Sequence, residues 1–237
     1  MINKYTVLKK ITIAIDGFSS TGKSTLAKQL AKHFGYVYVD TGAMYRAVTL
    51  FAMQNGYITT DFFDKQTLIN SLPSIKLHFE FNAELGFAEM YLNDANVEKE
   101  IRTLEVSNFV SLIAEVSAVR TKLVEQQQQM GKGKGIVMDG RDIGTVVFPK
   151  AELKVFMTAS SETRAQRRFE ELQEKGQTVS FQEVLKNVED RDYIDTHRDD
   201  SPLRKADDAI EIDNSYLTRE EQFDAVLEMV EDVMKSL

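Results

Sequence analysis

Gly17-Phe18-Ser19-Ser20-Thr21-Gly22-Lys23-Ser24-Thr25 follows the pattern G-x-x-x-x-G-K-[ST], and it stands at the junction where that pattern has a mechanism. The apolar stretch 11–16 ahead of it reads as a strand. The helix-period residues Leu26, Ala27, Leu30, Ala31 and Phe34 behind it read as a helix closed by Gly35. Glycines let successive backbone N–H groups converge on one anion, and the first helical turn adds a partial positive charge. Lys23 supplies a point charge that can reach outer phosphates, and the Ser24 hydroxyl is suited to a Mg²⁺ ion held among them. Thr25 either touches an inner phosphate or begins the helix. A glycine-rich turn that binds nothing is the competing explanation, and the strand–loop–helix context disfavours it.

Further on, short apolar runs alternate with longer helix-period segments, the pattern of a parallel sheet with crossover helices. Strands are expected at 11–16, 36–40, 136–139, 153–157 and 209–213, several of them continuously apolar as befits burial on both faces. Helices are expected after Gly22, after Gly42 as far as Gly56, over about 97–130, 161–175 and 180–199, and from 220 to the end. Ser180 with Glu183 forms a capping box, and Phe223, Val226, Leu227, Val230 and Met234 form an apolar stripe. The fold class is therefore α/β of the P-loop NTPase kind, with a five-stranded parallel sheet flanked by helices. One segment breaks the alternation: 74–96 reads as an antiparallel hairpin turning near 82–86. That pattern alone leaves the hairpin as either a decorative edge or a substrate-specific insertion. The expected organisation is a core of 1–72 and 97–237, with the hairpin part of an insertion at 73–96.

Composition narrows the chemistry. The chain has 237 residues, enough for a substantial core, with 28% charged and 43% hydrophobic residues. Lys plus Arg number 29 against 37 Asp plus Glu, a net charge of -8, which argues against a nucleic-acid polymer as partner but not against small anions in a local basic pocket. The absence of cysteine excludes disulfides, thiolate metal sites and thiol catalysis. No apolar run approaches a membrane span or a signal peptide, so a cytoplasmic protein with no membrane partner is expected.

The remaining basic residues select among reactions that share a phosphate loop. Thr41 and Arg46, in Asp40-Thr41-Gly42-Ala43-Met44-Tyr45-Arg46, follow the second expected strand, and strand ends of this kind face the ligand crevice of an open α/β sheet. Both are therefore placed to meet an anion or a ribose, with a solvent-exposed helix charge as the competing account of Arg46. Asp139 ends the third strand and is suited equally to holding Mg²⁺ through water or to capping a turn. Arg141 and Asp142 follow it, able either to pair with each other or to meet a ligand. Arg191, Asp195 and Arg198 fall at i, i+4 and i+7, one helix face, which a self-satisfied ion-pair ladder explains as well as a ligand does. Arg164, Arg167 and Arg168 add a basic face that is as easily solvated surface.

These residues together resemble the bacterial cytidylate kinase family. The resemblance covers nearly the whole chain through the phosphate loop, the run 40–46, Ile101-Arg-Thr-Leu-Glu-Val106, the highly specific Asp139-Gly-Arg-Asp-Ile-Gly-Thr-Val-Val-Phe-Pro149, and Ala159-Ser-Ser-Glu-Thr-Arg-Ala-Gln-Arg-Arg168. It implies transfer of the γ-phosphoryl group of ATP to CMP or dCMP with Mg²⁺, by a monomer whose insertion binds the monophosphate. On that basis residues 17–25 hold ATP, and Lys23, Arg141, Arg191 and Arg198 act in catalysis. Arg46, Arg141 and Arg191 hold the acceptor phosphate, Ser111, Arg120 and Asp142 read cytosine, and Asp195 with Arg198 contacts the ribose. Thr41 and Tyr45 line the same site, and about 176–205 forms a lid. The chain departs from the family where Gly often replaces Ser24 and Ser replaces Thr41, and where lid arginines give way to Ile194 and Thr196. Another small-molecule kinase is the nearest rival. A GTP-switched binding protein is the rival of another class, but it needs a guanine-reading Asn-Lys-x-Asp, and Asn187-Val-Glu-Asp190 lacks the lysine.

Overall fold

The computed structural model describes residues 9–237; residues 1–8, the start of the expected core, lie outside it. In chain order the elements are β1 (Thr12–Gly17), α1 (Lys23–Phe34), β2 (Val37–Asp40), α2 (Thr41–Gln54) and α3 (Lys65–Ser71). There follow β3 (Leu77–Asn82), β4 (Phe87–Leu92), β5 (Ala95–Asn96), α4 (Leu104–Ala114), α5 (Ser117–Met130) and β6 (Ile136–Gly140). The chain ends with β7 (Leu153–Thr158), α6 (Ser161–Glu174), α7 (Phe181–His197), β8 (Ile210–Asp213) and α8 (Arg219–Ser236). Five strands form a parallel sheet in the order β2-β6-β1-β7-β8. Register brings Asp40 and Ile15 level with Asp139, and Asp16 level with Gly140, so the polar ends of three strands meet at one edge.

Alternation of side chains across the strands gives the sheet two apolar faces. Ile13, Ile15, Val137, Val155 and Met157 pack beneath Leu26 and Leu30 of α1 and Val226 and Val230 of α8. Ala14, Val39 and Met138 face the other way, with Ile143 and Val147. A separate core joins Met44 and Val48 of α2, Val110 and Ile113 of α4, Val119 and Leu123 of α5, and the inner hairpin residues Leu77, Met90 and Leu92. The expected hairpin is present as β3 and β4, in register from Leu77–Leu92 to Asn82–Phe87, and β5 extends it to three strands.

The helix expected over 97–130 is three pieces: a 3₁₀ turn at Glu100–Arg102, then α4, then α5. Thr103 restarts the helix, its hydroxyl accepting from Val106 N at 3.3 Å. Val116 then adopts an extended conformation (φ −76°, ψ 106°) and breaks the rod. The break lets Arg120 reach back to the carbonyl of Ala114 (3.3 Å), one of the acceptors left open at the C-terminus of α4. The short helix α3 has no counterpart in the expected elements.

Leu26 is fully buried between α1 and the sheet, whereas Phe81 on the outer hairpin face is 69% exposed. Leu26→Ala is expected to cost about 2–5 kcal/mol in urea unfolding, and Phe81→Ala to stay within about 0.5 kcal/mol.

Candidate active site

The loop between β1 and α1 is curled by its backbone. Gly17 sits at φ 140°, and a Cβ there would stand 2.0 Å from the Met157 carbonyl oxygen; Ser20 (φ 59°) and Gly22 (φ 94°) complete the bend. Gly22 is the N-cap of α1 and brings no capping side chain, so the first N–H groups of the helix are directed at the cleft without an internal partner. Thr21 Oγ donates to the Phe18 carbonyl at 3.0 Å, and Asn214 Nδ2 donates to the Thr21 carbonyl at 2.6 Å. Arg164 braces the loop from α6: it pairs with Asp192 (2.5 Å) and lies 5.1 Å from the Phe18 ring centre.

Lys23 is buried, and its Nζ donates to the Phe18 carbonyl across the loop. Burial, reinforced by Arg141, pushes its pKa down from 10.5 to about 7, against the pull of Asp139 and Asp16. Asp139 lies opposite at the end of β6. Its oxygens accept from Ser24 Oγ and Tyr38 OH, both at 2.9 Å, and Thr41 Oγ donates to its carbonyl at 2.7 Å. Burial, with Asp40 acting the same way, raises Asp139 to about 6. Side-chain hydroxyls therefore occupy the positions that a turn cap would give to backbone N–H groups. Ser24 and Asp139 offer the hard oxygen donors that Mg²⁺ prefers. Among the described residues no group of three or more His, Cys, Asp or Glu could cage a metal alone, so such an ion would share its shell with phosphate or water.

Across the cleft the arginines converge. Arg141 Nε donates to Asp195 Oδ2 at 2.8 Å, and Asp195 Oδ1 accepts from Ser111 Oγ at 2.9 Å. Arg191 Nη1 donates to Ser107 Oγ at 3.1 Å, whereas Arg191 Nε and Arg46 Nη1 are buried with no partner. Burial first, then Arg141, lowers Arg191 to about 10; burial, then Arg191, Arg168 and Arg102, pushes Arg46 far below its usual range. Buried guanidinium donors left open at high positive potential have the chemistry that a multiply charged anion requires of its partners. Beside them Asp142 pairs with Arg120, both buried, and Arg198 Nη2 stands 3.9 Å from Asp142. Burial raises the Asp142 pKa although both arginines pull it down. Arg120 lies 5.7 Å from the ring centre of Tyr45, whose buried hydroxyl has no partner.

Several alternatives that the sequence left open are decided here. Arg141 and Asp142 do not pair with each other; they point to Asp195 and Arg120. The Arg191–Asp195–Arg198 ladder is not self-satisfied: Asp195 has Arg141 as its nearest cation, with Arg198 at 4.0 Å. Arg198 ends α7 by donating twice to the Ser201 carbonyl, at 2.9 and 2.6 Å. Arg164 and Arg168 are buried, which removes the solvated-face reading for them. A single cleft of about 1170 Å³ is lined by residues 19, 20 and 22–25 of the loop and by Thr41, Tyr45, Arg46, Ser111, Arg120, Asp139, Arg141, Asp142, Arg191, Asp195 and Arg198. Gly17, Phe18 and Thr21 form the back of the loop instead.

Three participants escaped the sequence. Arg102 bonds Asp40 (2.8 Å) and Glu98 (2.7 Å), and Lys28 lies 3.8 Å from the Phe87 ring centre, joining α1 to the hairpin. Tyr38, half-buried on β2, orients Asp139 by donating to its carboxylate. Asp16, near the end of β1, accepts from Ile143 N and Gly144 N at 2.7 Å each.

A phosphate loop with a buried lysine, facing a guanidinium cluster across one cleft, defines a P-loop phosphotransferase with an anionic acceptor. Residues 13–232 match the family model described as cytidylate kinase. The chain is 76% identical over 228 residues to a cytidylate kinase of Flavobacterium johnsoniae, covering 96% of this chain and 99% of that one. It is 72% identical to that of Flavobacterium psychrophilum (95% and 100% covered) and 58% identical to that of Bacteroides thetaiotaomicron (96% and 100%). The chain belongs to the cytidylate kinase family. Among the described residues no helix is long and apolar enough to cross a membrane.

The buried charges imply a stability profile. With Asp16 and Asp139 raised to about 7 and about 6, the folded chain holds more protons than the unfolded one between about pH 4 and 7, so stability falls as pH rises there. With Lys23 lowered to about 7, the unfolded chain holds the extra proton above that value, so stability rises with pH. The melting temperature without nucleotide is expected to pass through a minimum near neutral pH, and Lys23→Met to flatten the alkaline limb. Calorimetry from about pH 5 to 9 tests both.

Proposed function

We propose that the protein transfers the γ-phosphoryl group of ATP to CMP or dCMP, releasing ADP and CDP or dCDP. The observation that carries this reading is the pair of buried, unpartnered guanidinium nitrogens, Arg46 Nη1 and Arg191 Nε, in residues that line the same cleft as the Lys23 loop and the Arg120–Asp142 pair. The loop holds the triphosphate and the arginines hold the acceptor phosphate, which lines up an oxygen of one phosphate with the γ-phosphorus of the other. That attacking oxygen is already anionic, so no strong general base is required. Lys23, Arg141, Arg191 and Arg198 stabilise the charge that spreads over the transferred group. Ser24, with Asp139 through water, would hold Mg²⁺, which when bound neutralises charge on the outer phosphates.

Base selection falls to Asp142, Arg120 and Ser111. Cytosine presents an amino donor where uracil presents an oxygen, and a carboxylate accepts from the first and repels the second. Asp195 and Arg198 address the ribose, with Thr41 and Tyr45 lining the same pocket. The insertion around 73–96 forms part of the monophosphate side, and about 176–205 acts as a lid that excludes water from the γ-phosphate.

A coupled ADP-release assay across CMP, dCMP, UMP and AMP tests the reading; preference for UMP or AMP would overturn the base assignment. Lys23→Ala is expected to lower kcat by about 10²–10⁴-fold, and a retained kcat would remove the lysine from the γ-phosphate. Asp142→Asn is expected to shrink the CMP-over-UMP ratio of kcat/KM by about tenfold or more; an unchanged ratio would remove Asp142 from base reading.

A further inference from the structure

Asp16 is buried, does not line the cleft, and is used by no step above. It is the residue of β1 immediately before Gly17, and its two oxygens accept from the backbone N–H groups of Ile143 and Gly144, both at 2.7 Å. Those groups open the short π-helical turn Ile143–Val147, in which Phe148 N closes on the Ile143 carbonyl at 2.6 Å. The residue at the N-cap position of that turn is Asp142, which makes no capping hydrogen bond. An aspartate there ordinarily turns its carboxylate back onto the first N–H groups of its own turn. Here that carboxylate is committed to Arg120 and faces the cleft.

We propose that Asp16 is a positioning residue that caps the 143–147 turn from the neighbouring strand and thereby frees Asp142 to read the acceptor base. The inference rests on the cytidylate-specific reading of Asp142. The fit around the bond is close. A Cβ on Gly144 would lie 3.3 Å from Asp16 Oδ2 and 3.1 Å from the stem of Lys154, so a side chain at 144 would press on the carboxylate by a few tenths of an ångström. The Lys154 ammonium is engaged elsewhere, by Asp208 at 2.8 Å and the Pro149 carbonyl at 2.6 Å. Register adds a reason for the placement: Asp16 pairs with Gly140, two residues before Asp142, so one strand end carries both the phosphate loop and the support of the base-reading loop. Both backbone donors require acceptor oxygens, which the two carboxylate oxygens supply and an amide supplies only once.

The test is Asp16→Asn in the full chain, assayed for KM and kcat with CMP, UMP and ATP beside the native protein, with melting temperatures for both. The variant sets an NH₂ group against one of the two backbone N–H donors. KM for CMP is expected to rise about 10- to 100-fold, with the CMP-over-UMP ratio falling about tenfold. KM for ATP and kcat at saturating CMP are expected to stay within about threefold, since the phosphate contacts are untouched. A folded variant with native KM for CMP and native base preference overturns the proposal. So does a variant that loses kcat and ATP affinity but keeps its base preference, because Asp16 would then act through Lys23. Native protein that ignores CMP overturns the cytidylate reading itself, and the inference with it, before any variant is compared. Should Asp16→Asn lose its cooperative melt, Gly144→Ala is measured instead, since it crowds the same bond and leaves the carboxylate in place. The same split between CMP and ATP supports the proposal, and unchanged CMP kinetics overturn it.

Discussion

Charge buried against charge is the constraint on which this structure depends. Arg141–Asp195, Arg120–Asp142, Arg164–Asp192 and Arg102–Asp40 each bring a guanidinium to a carboxylate on a different element, in buried or mostly buried surroundings. Removing one partner from such a pair leaves an uncompensated ion and is far costlier than never having built the pair. The pairs therefore work as a jig. They tie α5, α7 and the 3₁₀ turn before α4 to the sheet edge and α6 to α7, and leave Arg46 and Arg191 with hydrogen-bonding capacity unspent.

The central strand explains how two chemistries share one cleft. β1 ends in Asp16-Gly17: the glycine begins the phosphate loop, where a Cβ would collide with Met157, and the aspartate reaches across to the loop that follows β6. β6 in turn carries Asp139 one residue before its end, where it receives the hydroxyls of Ser24 from α1 and Tyr38 from β2. Donor and acceptor halves are thus coupled through backbone register, which tolerates little slippage in a sheet buried on both faces. The displaced pKa values of Lys23, Asp16 and Asp139 are the electrostatic counterpart of that geometry. Burial strips these charges of water, which lowers Lys23 and raises Asp16 and Asp139, and of the three only the lysine is matched by a phosphate.

The sequence alone determined the parallel α/β framework, the phosphate loop, the antiparallel hairpin and the central cleft charges Lys23, Arg46, Asp139, Arg141, Asp142, Arg191, Asp195 and Arg198. These are local signals: spacing, apolar runs and strand–loop–helix junctions carry them without reference to distant residues. It did not determine which charge answers which. Arg141 and Asp142 are neighbours along the chain, yet their partners are Asp195 and Arg120, 54 and 22 residues away. Nor did the sequence reveal the break at Val116 or the parts of Arg102 and Tyr38, because ordinary residues take special roles only when packing sets them against a buried ion. Tertiary structure decided those matters, since an ion pair's worth depends on distance and exclusion of water, and neither is written in the order of the residues.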